Sequence, residues 1–150
     1  MNTNSKAFLD MIAVSEGTAS LGDNGYNVLV GGGLFQGYQT HPRTRVYCPK
    51  FKLYSTAAGR YQLLARYWDA YRKSLGLKDF SPASQDKIAL QQIKEQKALA
   101  DVEAGRFELA VGKVCNIWAS LPGAGYRQHE NSLATLKLAY LKAGGTLASV

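Results

Sequence analysis

Few side chains in this sequence can do covalent chemistry, and their spacing narrows the field further. The two histidines, His41 and His129, stand beside Pro42 and Glu130. With no Ser or Cys in a nucleophile-elbow pattern, they do not make a Ser–His–Asp arrangement. HPR and HEN also lack the spacing by which a helix offers two ligands to zinc. The glycines of VGGGLF have no P-loop lysine after them, so a flexible turn is their preferred reading. Cys48 and Cys115 are too few for a disulfide framework and lack metal-ligand spacing, so both read as free thiols. What remains is Glu16, at the end of AFLDMIAVSEGT.

If residues 5–16 form a helix, a step of about 100° per residue places Glu16 about 40° from Ile12 and about 20° from Leu9. That is the apolar face. Asp10 falls about 200° from Ile12 and reads as an ordinary solvated acid. A carboxyl group on the apolar face, near Phe8, Leu9 and Ile12, loses hydration and so favours its neutral form. The negative end of the helix dipole adds about 0.3–1 kcal/mol in the same direction. Such a group can hold a proton near neutral pH and serve as a general acid. A glutamate turned to solvent, or paired with an arginine, fits the same helix position, and the position alone does not decide.

The elements that must hold this residue are mostly helical. At 150 residues, 46% hydrophobic and 11% aromatic, the chain suits a single domain spanning 1–150 with a sizeable core. A net charge of +7 favours a polyanionic partner, be it nucleic acid, a membrane surface or an anionic wall polymer. The basic residues are scattered, so a plainly solvated surface is equally open. After Gly17, the alternation of Tyr26, Val28 and Val30 before the triple glycine predicts a small hairpin. The stretch from Thr40 to Tyr54, with two prolines and five basic residues, predicts a long surface loop. Tyr61, Leu64, Trp68, Tyr71 and Leu75 then recur at helical spacing, with Gly76 as C′ residue. Ser81 as N-cap and Pro82 at the first position announce the next helix, through Ile88 and Ile93. Weaker helices are predicted over Phe107–Cys115 and Asn131–Ala143. No apolar run is long enough to span a membrane.

Around Glu16, the stretches FLDMIAVSEGT, NGYNVLVGG, HPR, STAAGRYQLLARYWDAYRKSLGLKDFSP, SQDKIALQQIKE and NIWASLPGAGY stand in one order along nearly the whole chain. In these motifs the sequence closely resembles the phage lambda-type endolysin family, lytic transglycosylases of the lysozyme-like superfamily. It departs from the family in a shorter segment between Thr18 and Asn24, in the loop around Val46–Tyr54 that includes Cys48, and after Tyr126.

The resemblance implies an α+β lysozyme-like fold, mostly helical with a small β-hairpin lobe and a cleft between lobes. It implies cleavage of the β-1,4 bond between N-acetylmuramic acid and N-acetylglucosamine in peptidoglycan glycan strands, with no metal or organic cofactor. Glu16 matches the family's single catalytic acid. It would protonate the leaving oxygen, then take a proton from the muramoyl C6 hydroxyl as a 1,6-anhydro ring closes. The substrate's 2-acetamido group would stabilise the developing cation. Ser55, Tyr61, Gln62 and Tyr126 are the substrate-site candidates. Ser55 opens a run of small residues that lets backbone approach the acid, Gln62 could bond sugar amides or cap a helix, and Tyr126 could stack on a sugar face. Tyr61 shares the Leu64 and Trp68 stripe, which gives it a core reading as well.

A hydrolytic muramidase on the same fold is the alternative enzyme, and a non-catalytic cationic wall binder the alternative class. A retaining glycosidase wants a second carboxylate about 5–5.5 Å away and an inverting one about 6.5–9.5 Å away. The nearest in sequence is Asp23, which reads as a surface-loop residue. The start MNTNSKAFLDMIAV is interrupted by Asp10 and shows no small-residue cleavage site. Synthesis in the cytoplasm is therefore expected, and the phage resemblance implies that the periplasmic wall of the host is reached indirectly, through a holin-type partner that permeabilises the membrane. The remaining expectations are a monomer, no nucleic acid and no stable membrane insertion.

Overall fold

Asn2 accepts the Ser5 N–H at 2.8 Å and so caps the first helix, α1, which runs Thr3–Glu16. The computed structural model describes residues 1–123 and 130–149. Among them follow β1 (Val46–Cys48), β2 (Leu53–Ser55), α2 (Ala65–Leu75), α3 (Pro82–Glu95), α4 (Leu99–Ala104), α5 (Phe107–Val114) and α6 (Leu133–Lys142). The chain groups into two compact units, one of Met1–Glu16 with Ala89–Val150 and the other of Gly17–Ile88. No helix among the described residues is long and apolar enough to cross a membrane.

The first unit is built on α1. Its Phe8, Leu9, Met11 and Ile12 are all buried, as the helical phase predicts. Each contributes about 1.5–3 kcal/mol on burial. That outweighs the ~0.3–1 kcal/mol by which a helix C-terminus disfavours a carboxylate, so α1 stays docked with Glu16 at its unfavourable end. The helix packs on α4 and α6, and α4 packs on α5. The Phe107 ring joins them, 6.0 Å from Phe8 and 4.8 Å from Tyr140. On α4, the buried Asp101 accepts from Arg106 at 2.7 Å and Lys113 at 2.6 Å. The sequence reading did not include α4, because LADVEA is too short to show an apolar period. The helices α5 and α6 lie within the predicted spans, and Ser132 caps α6 by accepting from Thr135 N–H.

In the second unit the predicted hairpin and the predicted loop change places. Around the triple glycine there is no ladder, only isolated bridges of Val28 with Leu34 and Leu29 with Ala58. Gly31 and Gly32 both take left-handed φ, and the segment turns before a second pair can form. The ladder falls instead in the stretch read as a loop, where Val46, Tyr47 and Cys48 pair with Ser55, Tyr54 and Leu53. Neither strand buries a face, so the apolar alternation that would have announced it is missing.

The predicted helix through Tyr61 also starts later, at Ala65. Gln62 has φ +55°, outside the helical region, and Ala58 and Leu63 exchange backbone hydrogen bonds at 3.0 and 2.9 Å across the turn. Gly59 is required there, since a Cβ would lie 2.5 Å from Gln85 Oε1. Leu64 is extended and caps the helix without a side-chain bond. From Ala65 the predicted period resumes, and Trp68 is packed with Phe35, Ala58, Leu63, Phe80 and Ile88. Gly76 ends α2 in the left-handed region and Ser81 caps α3 through Ser84 N–H, both as the sequence predicts.

Candidate active site

Glu16 is the last residue of α1 and is half-buried, on the face that helical phase assigns it. Burial pushes its carboxyl above the usual value of 4.5, and a hydrogen bond from Ser120 opposes that shift only in part. Ser120 Oγ donates to Glu16 Oε2 at 2.6 Å. The serine reaches the acid from the turn after α5, where buried Trp118 and Leu121 flank it and Leu121 N–H closes on Trp118 O at 3.0 Å. Behind it, Ser15 Oγ lies 2.8 Å from Ser120 Oγ. Asn131, just before the cap of α6, donates its side-chain amide to Ser15 O at 3.0 Å, Ser15 Oγ at 3.1 Å and Ser120 O at 3.4 Å. Its backbone N–H also donates to Ser120 O at 2.8 Å.

The other predicted site residues that are described lie in the second unit. Ser55 Oγ accepts from Ala57 N–H at 3.1 Å. Tyr61 is buried, and its hydroxyl donates to Asp86 at 2.6 Å. Tyr26 donates to the same carboxylate oxygen at 3.0 Å, and the Arg60 guanidinium covers both rings. Burial first, and the Asp86 charge second, push the Tyr61 phenol far above its usual value. Gln62 is half-buried and spends its amide hydrogens on Gly59 O at 2.9 Å and Val28 O at 3.2 Å. Tyr126 and His129 lie outside the described residues. Asp23 is exposed and accepts from the Tyr38 hydroxyl at 2.6 Å. His41 is a core residue, with its Nε2 on Leu63 O at 2.7 Å and its Nδ1 accepting from Arg43 N–H at 3.0 Å.

Sequence reasoning missed Ser15, Ser120, Asn131 and Asp86. For Ser15 there was a signal, because it stands three residues after Ile12 and four after Met11, on the buried face. Ser120 and Asn131 come from more than a hundred residues away in the chain and left no local mark.

The family model that describes endolysins matches residues 6–147. The chain belongs to the endolysin family. It is 54% identical to the endolysin of Escherichia phage lambda over 155 residues, covering 100% of this chain and 97% of that one. With the endolysin of Escherichia phage P2 it shares 48% identity over 158 residues, 97% of this chain and 95% of the relative. A solved structure of bacteriophage lambda lysozyme complexed with a chitohexasaccharide superposes with TM-score 0.94 at 55% identity, over 98% of this chain and 97% of that chain. A second, described as lysozyme from bacteriophage lambda, gives 0.89 at 54% identity over the same shares. The fold is therefore the lysozyme-like one that the motifs implied, with its small sheet at 46–55 and not at the triple glycine.

Chemically, Glu16 is a carboxyl whose neutral form burial favours, touched by a neutral hydroxyl. Among the described residues it forms no ion pair, so within them it can give up a proton without breaking one and take one back without forming a charge cluster.

Proposed function

We propose that this endolysin-family chain is a peptidoglycan lytic transglycosylase, cleaving the MurNAc-β-1,4-GlcNAc bond with formation of 1,6-anhydro-MurNAc ends. The observation that carries this reading is the state of Glu16: half-buried, raised in pKa by desolvation, and bonded to Ser120 alone among the described residues. One carboxyl of this kind serves both halves of the reaction. Protonated, it gives its proton to the leaving glycosidic oxygen; ionised, it takes the proton from the muramoyl C6 hydroxyl as that hydroxyl's oxygen closes on C1. A hydrolase would need a second carboxylate to activate water or attack the sugar. Asp23, the nearest acid in sequence after Glu16, is engaged by Tyr38, which supports the single-carboxyl reading.

A lambda lysozyme relative complexed with a chitohexasaccharide supports a glycan as the bound substrate. In this reading Gln62 keeps Oε1 for an acetamido N–H, its own N–H groups being held by backbone. Ser55 and Tyr61 fix the backbone around it, and Tyr126 supplies the sugar platform. The chain would be made in the host cytoplasm and would reach the wall after a holin-type partner permeabilises the membrane.

The test is digestion of purified peptidoglycan and mass analysis of the muropeptides. Products lacking one water relative to hydrolysed ones are expected. Reducing ends would assign a muramidase, and intact glycan would leave only a cationic binder.

A further inference from the structure

The hydrogen-bond chain behind Glu16 has a direction, and the direction follows from donor counting. The Asn131 side-chain nitrogen faces Ser15 O and Ser120 O, which only accept, so the NH2 end of the amide points into the cluster. With two hydrogens for three acceptors, one is shared between Ser15 O and Ser15 Oγ, so the amide also donates to Ser15 Oγ. At the other end, an ionised Glu16 only accepts, so the single hydroxyl hydrogen of Ser120 goes to Oε2. The contact between the two serines must then be Ser15 donating to Ser120. Every bond points the same way, from Asn131 through Ser15 and Ser120 to Glu16.

When Glu16 takes up a proton the polarity still holds. A proton on Oε2 would face the Ser120 hydrogen and turn Ser120 toward Ser15, so the Ser15 hydrogen would lose its acceptor at Ser120, and the Asn131 amide nitrogen has no lone pair to offer in exchange. A proton on Oε1 leaves all the bonds intact. We infer that Ser120 is a positioning residue whose one-way relay from Asn131 and Ser15 keeps Glu16 Oε2 a permanent acceptor and makes Oε1 the atom that gives and retakes the catalytic proton. This rests on the reading of Glu16 as the catalytic acid. The balance is simple: the Oε1–H bond breaks as the proton joins the departing glycosidic oxygen, and Oε1 regains a proton from the C6 hydroxyl as O6 bonds to C1. Oε2 and Ser120 exchange nothing in either half.

The relay also sets the pH range of the acid. Ser120 stabilises the ionised form, which opposes the upward push of burial. Losing that donor raises the carboxyl further, so the acid stays protonated to higher pH. In Ser120→Ala, the basic limb of the pH profile of kcat/KM on peptidoglycan is expected to move up by about one pH unit. The rate at the optimum is expected to drop roughly tenfold or more as the carboxyl loses its fixed orientation. Ser120→Thr, which keeps the hydroxyl, is expected to restore the limb, and Ser120→Cys, a weak donor of similar size, to shift it part of the way. Ser15→Ala is expected to give a smaller shift alone and none when added to Ser120→Ala, because the relay is already cut.

A carbon-13 titration of the Glu16 carboxyl, assigned by its loss in Glu16→Gln, follows the same shift without using activity. Circular dichroism verifies that each variant folds. A limb and a carboxyl titration unmoved in Ser120→Ala and Ser120→Cys, whatever happens to the rate, would overturn the relay and leave Glu16 as the acid. Full cleavage by Glu16→Gln would instead overturn the reading beneath it.

Discussion

Replacing Glu16 by Gln keeps the shape of the side chain and the acceptor for Ser120 while removing the titrating proton. Loss of a positioned general acid costs about 10²–10⁴ in rate, so cleavage of peptidoglycan by Glu16→Gln is expected to fall by at least that range. The same change is expected to raise stability at neutral pH. A carboxyl held above 4.5 in the folded state binds its proton more tightly there than in the unfolded chain, so ionisation above 4.5 favours unfolding. Melting curves of the two proteins at pH 7 test this, and a lower Tm for the variant would contradict the assigned burial. Tyr61→Phe tests a different residue. Its hydroxyl serves Asp86 in the second unit, and a hydrogen bond to a charged group contributes about 1.5–3 kcal/mol. Urea unfolding should show a loss of that order with KM unchanged; a raised KM at full stability would return Tyr61 to the substrate site. At this scale the sequence was informative where the signal was local. Helical phase alone separates Glu16 from Asp10, and the structure keeps only part of that separation: both are half-buried, and Asp10, read from phase as solvated, pairs with exposed Lys6 at 3.0 Å. Tyr61 fits the helical stripe numerically, yet one left-handed residue, Gln62, cuts it off from α2.

Elements were legible in proportion to how much of themselves they bury. The α1 helix is announced by its apolar period over 5–16 and α3 by its cap and period, and both are found, α1 starting two residues earlier at Thr3. The β1–β2 hairpin buries no face and announced nothing, and the glycine-rich segment alternated without forming a ladder. The α2 helix lies between these cases, because only Trp68 on it is fully buried. Its ring meets Phe80 at 5.1 Å edge-on, and Tyr71 and Leu75 add partial cover. With one anchor, α2 has little to replace it. Trp68→Ala is expected to cost about 3–5 kcal/mol, measured as the shift in urea midpoint at constant m-value. Proteolytic cleavage within 65–75 should rise with it. A loss below about 1 kcal/mol would mean that the half-buried residues hold the helix unaided.

Over the whole molecule, charge and proton linkage set the working conditions. No acid stands between Asp23 and Asp69, a stretch that includes Arg43, Arg45, Lys50 and Lys52. Asp69 engages Arg43, whereas Arg45 and Lys50 lie over the exposed rings of Tyr54 and Phe51. Exposed charges of this kind act through a screened field, so changing Arg45, Lys50 and Lys52 to Gln is expected to flatten the dependence of cleavage rate on ionic strength. The pH dependence of folding follows from groups of opposite sign. Burial lowers His41 from 6.5, so the unfolded chain binds its proton first and stability is lost as pH falls from 6.5 through the folded value. Asp101, bonded to Lys113 and Arg106, and Asp79, bonded to Ser81 and Ser84, sit below 3.8; their contribution is present above that pH and is lost as pH falls through the lowered values. Glu16 works against both, since its cost is present at neutral pH and disappears as pH falls toward 4.5. Between pH 6.5 and 4.5 the His41 loss and the Glu16 relief therefore oppose each other, and the wild-type curve of stability against pH is expected to be shallow there. Glu16→Gln removes the relief, so its curve should start higher at pH 7 and fall more steeply across that window. Unfolding in urea at half-unit pH steps measures both slopes, and parallel curves would show that Glu16 titrates in the folded chain as it does in the unfolded one.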